Sequence, residues 1–293
     1  MDIILSIPII SYLYNPANSV STSVNLVFFY MTWATLVLSH PPWEVHLVGV
    51  LAIRTIFWFI PALISLLFDL AIPSLAESVK HAGRASLPPR KARPLFNLLG
   101  LVLFNVFAMT ATEGAVSYVY RYINRRTVFK MSTTLPFPWQ MAKHILVLTI
   151  AREILTYYLH RYVLHNNPGS PIAKLHQQFA HSTRGAPYCI QLFYDHPLPL
   201  IVHRFIPLFL PCMFLRPHMI TYFLYLAICT GEEAFSMSGY TIVPGYFLSG
   251  IAARSSLHYA GSGSSNFGAW GVVDWCHGTS RGRDIFDDLR AEA

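Results

Sequence analysis

Charge is what this sequence has least of. Only 12% of its 293 residues are Asp, Glu, Lys or Arg and 54% are hydrophobic, whereas a soluble domain usually carries about a quarter charged residues. That leaves too little polar surface to cover a soluble globule, and the chain reads as a polytopic membrane protein in one compact membrane domain. Cysteine is also scarce. Cys189, Cys212, Cys229 and Cys276 show no paired C-x-x-C spacing, which argues against a zinc ribbon or a disulfide framework and leaves them as packing residues. There is no H-E-x-x-H, no G-x-S-x-G, no P-loop and no G-x-G-x-x-G, so the usual signatures of metalloproteases, serine hydrolases and nucleotide-binding folds are missing. No internal repeat or low-complexity tract is present, and GSGSSN at 261–266 reads as a tight loop. The first residues, MDIILSIPIISYLYNPANSV, lack the basic segment and small-residue cleavage site of a secretory signal and are expected to be retained.

Long apolar runs are plentiful. Residues 23–39, 44–75, 95–120, 141–165, 199–215 and 219–236 are each near or beyond the ~20 residues that cross a bilayer as helix. Arg54 and Pro61 interrupt the second run; His203, Arg204, Pro207 and Pro211 interrupt the fifth, which leaves re-entrant or interfacial placement open for both. The expectation is an all-α fold with about four transmembrane helices and a cytosolic helical cap. Two basic clusters flank the third run: Lys80, Arg84, Arg90, Lys91 and Arg93 before it, and Arg121, Arg125, Arg126 and Lys130 after it. A single helix would put them on opposite sides of the membrane, whereas a hairpin at 95–120 would put both in the cytosol. The formal charge of +7 follows from these flanks, and with no separate basic stripe bearing exposed aromatics, nucleic acid is not an expected partner.

Histidine is the informative abundance. Nine of the 13 histidines fall between 160 and 277 among apolar and aromatic neighbours, where an unpaired imidazolium would be costly. Neutral imidazole is a common ligand of redox-active iron, and ligation around metal ions would keep such residues neutral and satisfied. His160 and His165 close the run AREILTYYLHRYVLH. Five residues on a regular helix amount to about 500°, so the two rings point about 140° apart and converge only if the helix ends or distorts between them. The same offset recurs in His176 and His181. Glu153, about 10 Å before His160 on nearly the same face, suits an orienting or structural role, with Arg152 as its simplest partner. Glu232 and Glu233 sit inside an apolar run, where a place near a metal, a pairing with Arg254 and a solvated helix end are all open.

YYLHRYVLH resembles the first histidine box of the fatty acid hydroxylase and sterol desaturase superfamily. LHQQFAHSTRGAPYCIQLFYDHPL resembles the second box and the stretch after it, SMSGYTIVP resembles the HSGY segment, and SSLHYAGSGSSNFGAWGVVDWCHGTS resembles the third box with its trailing elements. The resemblance covers roughly 141–280, in order. It divides the chain into an N-terminal membrane-spanning region at 1–140, a histidine-box region at 141–280 and a polar tail at 281–293. Four positions depart from the pattern: Ser182, Met237, Ser255 and Tyr259 stand where the family has histidines.

The resemblance implies a membrane-bound, O2-dependent non-haem iron oxidoreductase, a hydroxylase or desaturase. Its substrate would be a hydrophobic lipid, sterol, terpenoid or polyketide intermediate, and its electrons would come through cytochrome b5 and its reductase. It also implies two irons and a place in the endoplasmic reticulum, the site facing the cytosol; FDDLRAEA carries no K-D-E-L-type address. The implied metal ligands are His160, His165, His176, His181, His196 and His258, with His196 either a ligand or an orienting group, and His203 and His277 as local substitutes. Tyr259, Asp195, Glu232, Glu233 and Asp274 are candidate oxygen donors. Tyr157, Tyr158, Phe179, Tyr188, Phe193, Tyr259 and Phe267 are expected to line an apolar channel. The missing histidines leave three alternatives: a remodelled site, a single-metal site, or the same fold doing non-oxidative isomerase, cyclase or dehydratase chemistry or no catalysis.

Overall fold

The computed structural model describes residues 20–182 and 187–292; all but the last residue of the N-terminal stretch expected to be retained lies outside them. The described chain is helical, with two isolated bridges and no strand. Besides the short helix Pro73–Ser78, the α-helices are α1 (Val20–Ser39), α2 (Pro42–Ala71), α3 (Ala92–Asn124), α4 (Pro138–Tyr158), α5 (Pro171–Phe179), α6 (Pro197–Leu215), α7 (Met219–Ser236), α8 (Tyr246–Ala260), α9 (Val272–Cys276) and α10 (Ile285–Glu292). Four start on a proline after an extended residue: Pro42, Pro138, Pro171 and Pro197. There the missing N–H is one the helix could not have used.

Helices α2, α3 and α6 are long and apolar enough to cross a membrane, and Val24–Ser39 forms a shorter apolar helix. Ile56, Ile60, Ile64 and Leu67 of α2 and Phe96, Phe104 and Phe107 of α3 face outward, which is the arrangement a lipid solvent favours. The prolines inside α2 and α6 do not break them. Pro61 and Pro207 each follow a π-helical segment, Thr55–Phe59 and Ile201–Phe205, and the widened turn absorbs the lost hydrogen bond. The more polar α4 and α7 pack against each other, and α4 against α6.

The third apolar run is one helix, so the hairpin reading is overturned. Its 33 residues are unbroken, span about 50 Å, and carry the two basic clusters to opposite ends of the bundle. Backbone bridges fix those ends: Lys130 to His218 ties the loop after α3 to the start of α7, and Lys80 to Tyr240 ties the loop after α2 to the segment after α7. The second end holds the histidine segments. There Lys80 pairs with Asp69, whose other oxygen accepts the Tyr240 hydroxyl at 2.7 Å.

Toward the first end lies a buried polar cluster. Glu113, fully buried, accepts hydrogen bonds from His46 Nε2 at 2.7 Å, the Tyr222 hydroxyl at 2.5 Å and Arg54 at 3.2 Å. Arg54 also donates to Thr110 at 2.6 Å. His46 forms part of the wall of an apolar cavity of about 420 Å³ beside this cluster. Its lining, which includes Trp43, Leu47, Tyr118 and Phe129, contains none of the histidines of the opposite end.

Candidate metal centre

The conflict between the five-residue histidine spacing and a regular helix is resolved by a change of helix. After Tyr158 the chain continues as a π-helix, Leu159–His165, in which i and i+5 lie about one turn apart. His160 and His165 therefore share a face. Their Nε2 atoms are 3.2 Å apart. His176 projects from α5, and His181 from the turn that follows it, bringing those rings to 5.0 Å between centroids. His203 comes from the π segment of α6 and lies parallel to His160 at 5.3 Å. His258, from α8, stands 4.7 Å from His160.

These side chains form three overlapping groups: His160, His165 and His258; His165, His176 and His181; and His176, Asp195 and His203, each with donor atoms mutually within 4.8 Å. Four rings are held alike. The Nδ1–H of His160 donates to Phe267 O at 3.0 Å, that of His176 to Asp195 Oδ2 at 2.6 Å, that of His203 to Pro199 O at 2.8 Å and that of His258 to Ser265 O at 2.7 Å. Each bond fixes the tautomer and leaves the Nε2 lone pair free, the outer-shell pattern of metal-binding histidine. Asp195 is placed from within the membrane part of the chain, because the Asn105 amide of α3 donates to Phe193 O at 2.8 Å and Asp195 O at 2.7 Å.

Several nitrogens of the cluster have no protein partner. His176 Nε2, His258 Nε2 and both ring nitrogens of His181 are buried without a hydrogen-bond partner, a cost that a folded protein seldom leaves uncompensated. A metal ion bonded by these nitrogens fits the donor set, which is rich in imidazole as iron sites are.

The third-box loop is a scaffold for these rings. Glu153 accepts the backbone N–H groups of Trp270 at 2.7 Å, Val272 at 2.9 Å and Val273 at 3.3 Å, the structural role its position suggested. Asp274 accepts those of Phe267 at 2.9 Å and Gly268 at 2.6 Å, so it is committed to the loop and is no ligand. Gly263 has φ +76° and a Cβ there would run into the His165 ring. Gly263→Ala is accordingly expected to push His165 out of the cluster and lower metal content by about 10-fold or more, judged by outer-shell changes at metal sites; elemental analysis of the folded variant checks this, and unchanged content contradicts it.

Of the six sequence-derived ligand candidates, the structure brings together His160, His165, His176, His181 and His258, with His203 as a sixth ring. His196 stands outside these groups: its Nδ1 accepts the Leu198 N–H at 3.3 Å, capping α6, and its ring packs on Phe179. His277 is elsewhere as well, tilted against Tyr157 and edge-on to Tyr158. The pairings inferred for the acidic residues change too. Arg152 binds Glu232 at 3.3 Å and Glu233 at 2.8 Å rather than Glu153, and Arg254 binds Asp288 at 2.5 Å rather than Glu232 or Glu233. Arg204 joins the first pair, 3.2 Å from Glu233. The aromatic residues do not form one channel: Tyr188 and Phe193 are core, while Tyr259 and Phe267 line a small cavity of about 70 Å³ beside the cluster.

Burial and the neighbouring imidazoles push the His258 imidazole down to about 4, although its bond to Ser265 works the other way, and push that of His181 down to about 2. Unfolded, both take up protons as pH falls through the ordinary 6.5. The unfolded chain therefore binds more protons below that value, and stability falls with pH. The metal-free protein is expected to hold a constant Tm above about pH 6.5 and to lose on the order of 3 kcal/mol per imidazole by about pH 4. Thermal melts across this range check it; a flat profile contradicts it.

No solved structure matches this chain. The family model described as fatty acid hydroxylase matches residues 145–279, the stretch that carries all six clustered histidines. Over this region the chain is similar to the fatty acid hydroxylase family.

Proposed function

We propose that this protein is a membrane-bound, O2-dependent oxidoreductase that hydroxylates or desaturates a hydrophobic lipid, sterol, terpenoid or polyketide substrate. Its iron is held by imidazoles drawn from His160, His165, His176, His181, His203 and His258, with a position left for O2. The observation that carries this reading is the common tethering of four imidazoles through Nδ1, with His176 Nε2, His258 Nε2 and both His181 ring nitrogens unpartnered in one buried cluster. Bound iron supplies the one-electron redox chemistry that O2 requires. For hydroxylation the balance is R–H plus O2, two electrons and two protons giving R–OH and water. The electrons come from reduced pyridine nucleotide through cytochrome b5 or a related carrier, at a histidine end facing the cytosol of the endoplasmic reticulum.

The chain's own residues orient and shield. Asp195 holds His176, and the carbonyls of Phe267, Pro199 and Ser265 hold His160, His203 and His258. Phe267 packs its ring against His160, His165 and His258 and keeps water from that side. The test is turnover of a lipid extract in nanodiscs with NADH, cytochrome b5 and its reductase. The expected product has gained one oxygen atom or lost two hydrogen atoms, and it forms only with O2 and reductant. Turnover that persists under anaerobic, reductant-free conditions would replace this reading with the non-oxidative one.

A further inference from the structure

Beside the histidine cluster lies the cavity of about 70 Å³. His160, His203, His258 and Phe267 line it together with Arg152, Arg204, Glu232, Glu233, Met237, Ser255 and Tyr259. Three of these, Met237, Ser255 and Tyr259, stand where the sequence pattern of the family has histidines. The wall that would carry further imidazole ligands is therefore made of a thioether, a hydroxyl and a phenol.

Its charges are already matched. Arg152 is bound to both carboxylates, at 3.3 Å and 2.8 Å, and Arg204 to Glu233 at 3.2 Å. The indole N–H of Trp270 donates to Glu232 at 2.8 Å. Two guanidinium and two carboxylate groups sum to zero, and both carboxylates are engaged by cationic or N–H donors. A guanidinium keeps its charge at any accessible pH. A second metal dication here could gain a carboxylate only by displacing Arg152, Arg204 or the Trp270 N–H from it, which would leave a guanidinium or indole donor uncompensated in a low-dielectric site.

We infer that the centre holds one metal ion per chain, and that the paired Arg152, Arg204, Glu232 and Glu233 fill the place beside it that a second ion would need. This inference rests on the reading of the six histidines as a metal centre. His160, His203 and His258 border the cavity with rings whose Nδ1 atoms are tethered, so on that side each has only its Nε2 to offer an ion. Met237, Ser255 and Tyr259 make no bond to metal.

The test is metal stoichiometry of the detergent-purified full chain loaded anaerobically with ferrous iron, freed of excess metal and analysed for iron and protein. The nitric oxide adduct is then examined by electron paramagnetic resonance. One iron per chain and the signal of a magnetically isolated ferrous nitrosyl support the inference, as do unchanged iron contents in Met237→Leu, Ser255→Ala and Tyr259→Phe. Two irons per chain, or loss of iron in any of these three variants with the fold retained, would overturn it while leaving the metal-centre reading intact. No iron in a protein that melts cooperatively would overturn both.

Discussion

His165→Ala is expected to empty the metal centre. His165 is the one imidazole shared by the group with His160 and His258 and the group with His176 and His181. Its ring stands 5.0 to 5.1 Å from those of His176, His181 and His258, and its Nε2 is 3.2 Å from that of His160. Removing it takes a donor from both groups, so affinity should fall further than the roughly 10–100-fold that outer-shell changes cause. Asp195→Asn should fall within that outer-shell range, because the His176 ring stays while the carboxylate holding its Nδ1–H at 2.6 Å is lost. Competition with a chelator measures both, with thermal melts confirming the fold. Equal affinity in the wild type and His165→Ala would remove His165 from the site.

The second large effect concerns stability, at the other end of the bundle. Glu113→Leu is expected to destabilise the protein by about 3–5 kcal/mol, because it leaves the buried Arg54 guanidinium without its counterion. His46 and Tyr222 lose their acceptor in the same step. Thr110→Val, which removes one hydrogen bond from Arg54, should cost only about 1–2 kcal/mol. The folded fraction of either variant should load metal as the wild type does, since none of these residues belongs to the histidine groups. Reversible unfolding in mixed micelles reads the difference. A loss below about 1 kcal/mol for Glu113→Leu would mean that water reaches Arg54 and replaces the carboxylate.

Composition and periodicity made the helical, membrane-embedded character legible, because low charge and long apolar runs leave few other folds. The histidine segments were legible in order, as was the structural use of Glu153. Geometry was harder. The five-residue spacing argues against a shared face on a regular helix, and nothing in LHRYVLH announces that the backbone widens into a π-helix there. The choice between His196 and His203 turned on the same device. His196 precedes Pro197 and caps a helix, whereas His203 sits in the π segment Ile201–Phe205 that turns it toward His160. The hairpin reading of 95–120 failed because no proline interrupts that run and the helix passes through Gly100 and Gly114; it continues into its basic flanks and ends only where Arg125 adopts a left-handed conformation. Charge pairing was the least legible feature. Adjacent residues such as Arg152 and Glu153 project from a helix about 100° apart, and each found its partner in a distant segment.

Whether the buried imidazoles ligate a metal is read from iron K-edge X-ray absorption on the loaded protein. A nitrogen-rich first shell with the outer-shell scattering characteristic of imidazole is expected, lost in a His165→Ala/His176→Ala variant that still folds. An oxygen-only shell without imidazole scattering, or the same spectrum in wild type and variant, would contradict it.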